Sequence, residues 1–326
     1  MCKRRFLAYE KLTGYCCQPV KTIIPVIRAL LLSPVLDRNF FSPLDSYLTS
    51  DGQMKLLATV AVLIISSCVT VAVFQQTVSA RRAIFSQANT SPNRVPVIVE
   101  LFTSEGCSTC PPADALLMQL ENQQPIPGTQ VLALEEHVDY WNNGGWFDPF
   151  SSSEMTERQQ RYDQVLNQGS PYTPQMVVNG QWAFVGSRSN QAVQAITASA
   201  KEARSEVEIS ANASNPVGQS EWTVRVNRVE PASGDTAEVW LAITETGLHS
   251  NVGRGENAGR NLAHASVVRQ LTKLGAADPS KDPPFLAIEK PKLRPEWNRQ
   301  NLRIVAFVQQ KKSRHILGAA SAMLAP

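Results

Sequence analysis

The chain's 326 residues, 43% hydrophobic and 18% charged, have ordinary globular composition and length enough for about two domains. The formal charge of +3 comes from the N-terminal part: eight of the 31 Lys and Arg and four of the 28 Asp and Glu lie in residues 1–80, which leaves 23 against 24 and a formal −1. That balance excludes the clustered positive field on which nucleic-acid binding depends.

Residues 1–53 mix basic, apolar and Pro-containing pieces without sustained period, and read as an extension produced by a start site placed too early. Met54-Lys55 then opens an apolar stretch from Leu56 to Phe74, followed by polar residues and the small-residue ending Val78-Ser79-Ala80. A basic start, an apolar core and a small-residue cleavage site make residues 54–80 a signal peptide cut after Ala80. Two other readings stand beside it. The stretch is also long enough for a membrane anchor, and Ile65-Ser66-Ser67-Cys68 resembles a bacterial lipoprotein cleavage box with Cys68 as the acylated residue. All three place the remainder outside the cytoplasm, periplasmic or secreted, with this segment as the sole membrane contact.

Residues 81–95, polar and Ser/Asn-rich, read as a linker, and residues 96–205 as an α/β domain. Pro96 to Phe102 is a β-branched apolar run suited to a buried strand of a parallel sheet. Pro111 and Pro112 suit a helix's first turn, and Ala113, Leu116, Leu117 and Leu120 recur at helical spacing until Pro125, Pro127 and Gly128 stop it. Gln130 to Leu134 is a second buried strand leading into Glu135-Glu136-His137-Val138-Asp139-Tyr140-Trp141. Ser151 to Asn167 reads as a helix, Gln175 to Asn179 and Trp182 to Val185 as a hairpin turned at Asn179-Gly180, and Gln191 to Arg204 as a final helix. Strand, helix, strand, helix in this order implies a parallel sheet with helical crossovers.

Residues 206–326 switch to strands: Glu206 to Ala211, Trp222 to Val229, Glu238 to Thr244, Leu302 to Gln309 and Ile316 to Ala322. Alternation in Thr223 to Val229 suits a half-solvated antiparallel sheet, so a small separate β-sandwich is expected. The loop Gly253 to Arg260 has irregular glycines and no strand-then-helix context for a dinucleotide, and reads as a mobile turn. His264, His315, Arg254 and Arg260 read as surface or structural residues.

Of six cysteines, four precede residue 81, so Cys107 and Cys110 are the only pair in the exported part. Two cysteines spaced C-x-x-C between a strand and a helix point to disulfide exchange. Backbone amides and the positive helix end favour a thiolate at Cys107, and Cys110, one turn on, resolves a mixed disulfide. An inert staple is the bland alternative, weak because so short a loop constrains the unfolded chain little. A second alternative is a zinc or copper site built from both thiolates with His137, Asp139 or a partner protein supplying the rest.

Strand, CxxC at a helix start, strand, helix and then Thr173-Pro174 before a hairpin resembles the thioredoxin fold, in which a cis proline faces the cysteines. Pro174 holds the matching position, and the resemblance implies that it shapes a substrate-peptide groove. More closely, Val99 to Asp114, His137 to Trp141 and Gly145 to Phe150 are similar to a family of secreted bacterial thioredoxin-like proteins catalogued as DUF1223, over about Val97 to Ala325. That family's activity is unassigned. The sequence departs from thioredoxins at Gly106, where they carry Trp, and at Ser108-Thr109, where they carry Gly-Pro.

His137, at a strand end where parallel sheets carry their sites, is a candidate proton shuttle, thiolate partner or ligand, with Asp139 and Thr173 as further auxiliary candidates. Tyr140, Trp141, Trp146 and Phe147 are candidates to line a peptide groove. The expectation is therefore an exported thiol-disulfide oxidoreductase, needing no cofactor, that acts on protein thiols or disulfides with a redox partner. Its alternatives are a metal-binding protein and a non-catalytic binding module.

Overall fold

The computed structural model describes residues 94–212, 221–230 and 234–324; the extension, signal and linker expectations fall outside them. The first strand, β1 (Val95–Thr103), apolar through its middle apart from Glu100, is buried on both faces and lies parallel to β2 (Thr129–His137). Between them runs α1 (Pro111–Gln123), which begins with Pro in its first turn and stops at Gln124 in a left-handed conformation. The next helix, α2 (Ser153–Leu166), starts where the Ser152 hydroxyl accepts the Met155 amide. β3 (Gln175–Val178) runs antiparallel to β1 and turns through Asn179-Gly180, both at positive φ, into β4 (Trp182–Val185). α3 (Ser189–Ser199) ends five residues earlier than its Ala-rich sequence suggests.

The expected boundary at 205–206 does not divide the sheet. β5 (Glu206–Asn212), β6 (Glu221–Arg228), β7 (Ala237–Glu245), β8 (Leu248–Asn251), β9 (Asn261–His264), β10 (Val267–Ala277), β11 (Phe285–Glu289), β12 (Leu302–Gln310) and β13 (Ile316–Met323) follow in the chain. β10 pairs antiparallel with β7 and parallel with the end of β2 through Val267 and Glu135. One mixed sheet of eight strands results, ordered β13-β12-β7-β10-β2-β1-β3-β4. A three-stranded sheet, β11-β6-β5, faces its C-terminal strands, and β8-β9 forms a separate hairpin. The sandwich expected from residues 206–326 thus shares its larger sheet with the α/β half. Its sequence did not betray β10, because two register shifts, between Val268 and Gln270 and between Lys273 and Gly275, erase the period-two alternation.

Alternation splits the core. Val97, Val99 and Leu101 face α1 and α3 with Leu117, Leu120 and Ile196, whereas Ile98, Leu132 and Leu134 face Met155, Val305 and Phe307 on the opposite side. Trp222, Val224 and Val226 of the small sheet meet Leu241, Ile304 and Val308 of the large one. On the α2 side the fully buried Arg158 donates to Glu100 and Gln309 and lies 3.3 Å from Glu136, and Glu100 also accepts the Tyr162 hydroxyl, so ion pairs tie α2 to β1 and β2 and a hydrogen bond ties it to β12. No helix among the described residues is long and apolar enough to cross a membrane.

Candidate functional site

β1 ends in Thr103, the chain turns through Ser104-Glu105-Gly106, and Cys107 and Cys110 follow as a disulfide with Cα atoms 5.4 Å apart. Cys110 caps α1: its carbonyl accepts the amides of Ala113 and Asp114. Both cysteines are buried, while Ser108 and Thr109 between them are exposed. The pair stands where helix-terminal amides stabilise a thiolate.

The Thr173–Pro174 bond is cis. Pro174 lies beside the first turn of α1, since Pro174 and Ala113 both crowd the space at Gly186, whose amide donates to the Pro174 carbonyl. Trp141 Nε1 donates to Thr173 Oγ1 at 2.8 Å, and the same residue abuts Gly106, where an added Cβ would come within 3.1 Å of Trp141 Cβ. The departure at Gly106 therefore has a steric reason: Trp141, from the loop after β2, occupies the space beside it. Thr173, Trp141 and Pro174 gather at the cysteine turn as expected. Asp139 does not, since it accepts from Thr156 and fastens α2; Tyr140 donates to Gln159 of α2 and also interacts with the Thr173 side chain. Phe147 is 71% exposed.

Behind the cysteines lies a buried polar cluster that sequence reasoning largely missed. His137 Nδ1 is 2.7 Å from Asp148 Oδ2, and His264 Nε2 is 3.2 Å from Glu105 Oε1. The other faces of the two rings turn to one carboxylate: Glu135 Oε1 is 2.7 Å from His264 Nδ1 and 3.4 Å from His137 Nε2, the latter without hydrogen-bond geometry. Trp146 Nε1 donates to Glu105 Oε2 at 2.7 Å, and the Glu105 amide donates to Asp148 Oδ2. Trp146 thus acts on the buried cluster and not on an open groove. Burial opposes charge on His137, but Asp148 and then Glu135 outweigh it and hold the imidazole's pKa well above its usual range. Burial likewise opposes charge on His264, which the Glu105 and Glu135 contacts nonetheless raise to about 9. Burial pushes Asp114 the other way, with help from the Glu135 charge, to about 7. Asp114 accepts the Thr103 hydroxyl at 2.6 Å and sits four residues past Cys110.

The loop 253–260, expected to be a mobile turn, is docked on the cysteine turn. Asn257, fully buried, donates from Nδ2 to the carbonyls of Glu105 and Cys107, both at 2.9 Å, and Glu256 accepts the Ser108 amide. His264, read as surface or structural, is buried at the cluster's centre, whereas Arg254 and Arg260 are exposed and His315 meets Glu202. A groove of about 440 Å³ runs between α1 and β9, lined by Pro111, Asp114, Met118, Asn261 and Leu262. Glu135-Glu136-His137 did carry a clue. Three ionisable residues ending a buried strand must find partners, and alternation sends Glu135 and His137 to one face.

Among the described residues, the donor group whose atoms lie within 4.8 Å of one another is Glu135, His137 and His264, and it includes neither cysteine. The thiolate-and-His137 ligand set is not assembled in this disulfide form.

No curated protein matches the chain. Solved structures share its fold, among them the following two. A protein of Agrobacterium tumefaciens, solved as a structural genomics target, is 24% identical with a TM-score of 0.55, over 71% of this chain and 96% of that one. HBP35 of Porphyromonas gingivalis is 17% identical with a TM-score of 0.53, over 71% of this chain and 76% of that one. Residues 98–309, spanning the cysteine turn, the buried cluster and most of the C-terminal strands, match the family described as "Protein of unknown function (DUF1223)". The chain belongs to the DUF1223 family.

Proposed function

We propose that this protein is an exported thiol-disulfide oxidoreductase with a thioredoxin-type site, acting on protein thiols or disulfides. The observation that carries the reading is the Cys107–Cys110 disulfide at the N-terminus of α1, with a carboxyl of pKa about 7, Asp114, in that helix's first turn. Export is supported by the apolar segment from Leu56 to Phe74 with its small-residue ending, and by a cysteine pair held as a disulfide.

In the oxidising direction a partner thiolate attacks Cys107 Sγ, the Cys107–Cys110 bond breaks, and Cys110 leaves as a thiolate. Helix-terminal amides stabilise that charge, and protonated Asp114 supplies a proton close to neutral pH. A second partner thiol, losing its proton, attacks the mixed disulfide and releases Cys107. The partner dithiol has then lost two electrons to the cysteine pair, and the same steps in reverse reduce a disulfide. Thr173 and Pro174, fixed by Trp141 and Gly186, form the wall against which the partner segment lies. Tyr140 and Phe147, partly or largely exposed on the neighbouring loop, supply apolar contact area.

The test is oxidative refolding of a reduced disulfide protein and reduction of insulin, each with wild type and Cys107→Ser, alongside trapping of partners by Cys110→Ser. Turnover in either assay that Cys107→Ser abolishes, with mixed disulfides on Cys107, supports the reading. A cysteine pair that neither exchanges with glutathione nor traps any partner overturns it.

A further inference from the structure

The buried cluster behind the cysteines has the architecture of a metal centre. We propose that Glu135, His137 and His264 form a binding site for a divalent cation of the zinc type, distinct from the cysteine pair. Each histidine has one nitrogen committed to a carboxylate, His137 Nδ1 to Asp148 and His264 Nε2 to Glu105. With a cation in place of the proton on the opposite nitrogen, a proton kept on each committed nitrogen leaves that opposite one a lone pair for the metal. Those opposite nitrogens, His137 Nε2 and His264 Nδ1, both face Glu135 Oε1. This is the carboxylate–histidine–metal arrangement, present twice around a single shared carboxylate.

Three further observations support it. His137 Nε2 is fully buried and has no hydrogen-bond partner, an orphan that a metal would satisfy. Its 3.4 Å separation from Glu135 Oε1 matches the distance of about 3.3 Å between two ligands on a tetrahedral zinc with bonds of about 2.0 to 2.1 Å. The second pair, Glu135 Oε1 and His264 Nδ1 at 2.7 Å, has to open by about half an ångström as the cation replaces the bridging proton. Three carboxylates, Glu105, Glu135 and Asp148, also share this space with only two imidazoles, an excess of negative charge that a dication offsets. Two histidines and a carboxylate suit zinc, with one position left for water, better than a soft copper(I) site built from sulfur.

The outer contacts are fixed as such sites require. Trp146 holds Glu105, the Glu105 amide holds Asp148, and the Ala265 amide donates to the second oxygen of Glu135 at 2.9 Å. All three ligands are at most 2% exposed, so the cation enters during folding. The ligands come from β2 and from the end of β9, and the site ties together the two halves of the chain where β10 joins β2.

The full-length chain is unfolded and refolded with Zn(II) or with chelator, and bound zinc is measured by elemental analysis and by competition with a chromophoric chelator. One zinc per chain is expected in wild type and in the Cys107→Ser, Cys110→Ser double variant. Affinity should fall at least tenfold in His264→Gln and about 10- to 100-fold in Asp148→Asn, which alters only an outer contact. Substoichiometric zinc in refolded wild type, unchanged affinity in both variants, or zinc lost with the cysteines overturns the proposal. Should His264→Gln fail to fold, X-ray absorption on zinc-loaded wild type decides: two imidazoles with oxygen support the site, and a sulfur shell refutes it. Disulfide exchange is read separately on the same samples, so failure here leaves the redox reading to its own test.

Discussion

Replacing Asp114 with Asn should change how stability depends on pH, by an amount set by its burial. The Asp114 carboxyl, raised from the ordinary 3.8 to about 7 by burial and then by the charge of Glu135, binds its proton more tightly in the folded chain than in the unfolded one. The stability it contributes is therefore whole below pH 3.8 and is lost as pH rises to about 7. At ~1.4 kcal/mol per pH unit, a window slightly over three units wide corresponds to a loss of about 4 kcal/mol. Asn carries no charge and keeps an oxygen for the Thr103 hydroxyl, so the variant escapes that loss. Urea unfolding of the oxidised, chelator-treated protein reads the difference, the chelator being needed because a nearby cation would pull the carboxyl down. Between about pH 4.5 and about pH 7.5 the variant's stability should gain on wild type by about 3 kcal/mol. A difference constant within about 0.5 kcal/mol across that range would refute the reasoning.

Three further substitutions test other parts of the structure. Asn257→Ala leaves the buried Glu105 carbonyl without its side-chain donor and the Cys107 carbonyl with only the Cys110 amide, so it should cost about 2 kcal/mol in denaturant unfolding and speed reduction of the disulfide by dithiothreitol. Gly106→Ala drives a methyl into Trp141; a cost of about 1 to 3 kcal/mol and a shift in tryptophan emission are expected, as the bond to Thr173 is disturbed. Arg158→Met strands the carboxylate of Glu100 in the interior and should destabilise by about 3 to 5 kcal/mol in chemical denaturation, with little direct effect on thiol exchange.

The parts legible in the sequence were those governed by neighbours in the chain. The run from Pro96 to Phe102 announced a strand buried on both faces, Pro111 and Pro112 marked the entry to α1, and Asn179-Gly180 marked a hairpin whose two residues take positive φ. The cysteine pair stands in the strand-to-helix turn where its spacing placed it. What escaped depends on distant partners. His264 lies 159 residues from Glu105, and nothing local to Asn257 says that its amide will bind the Cys107 carbonyl. β10 escaped because its two bulges remove the alternation by which a strand is recognised, and with it went the connection that carries one sheet through both halves.

That connection bears on how the chain can be divided. Without β10 and the strands beyond it, β2 would lose the pairing of Glu135 with Val267, and Leu132 and Leu134 would be stripped of Val268, Leu271 and Phe307. An apolar face of that size left in water promotes association between copies. A fragment ending near residue 205 would retain both cysteines yet lose His264 and Asn257 and expose that apolar face. The C-terminal strands therefore cover the apolar face of the half that carries the thiols, and the two halves share one core as well as one sheet.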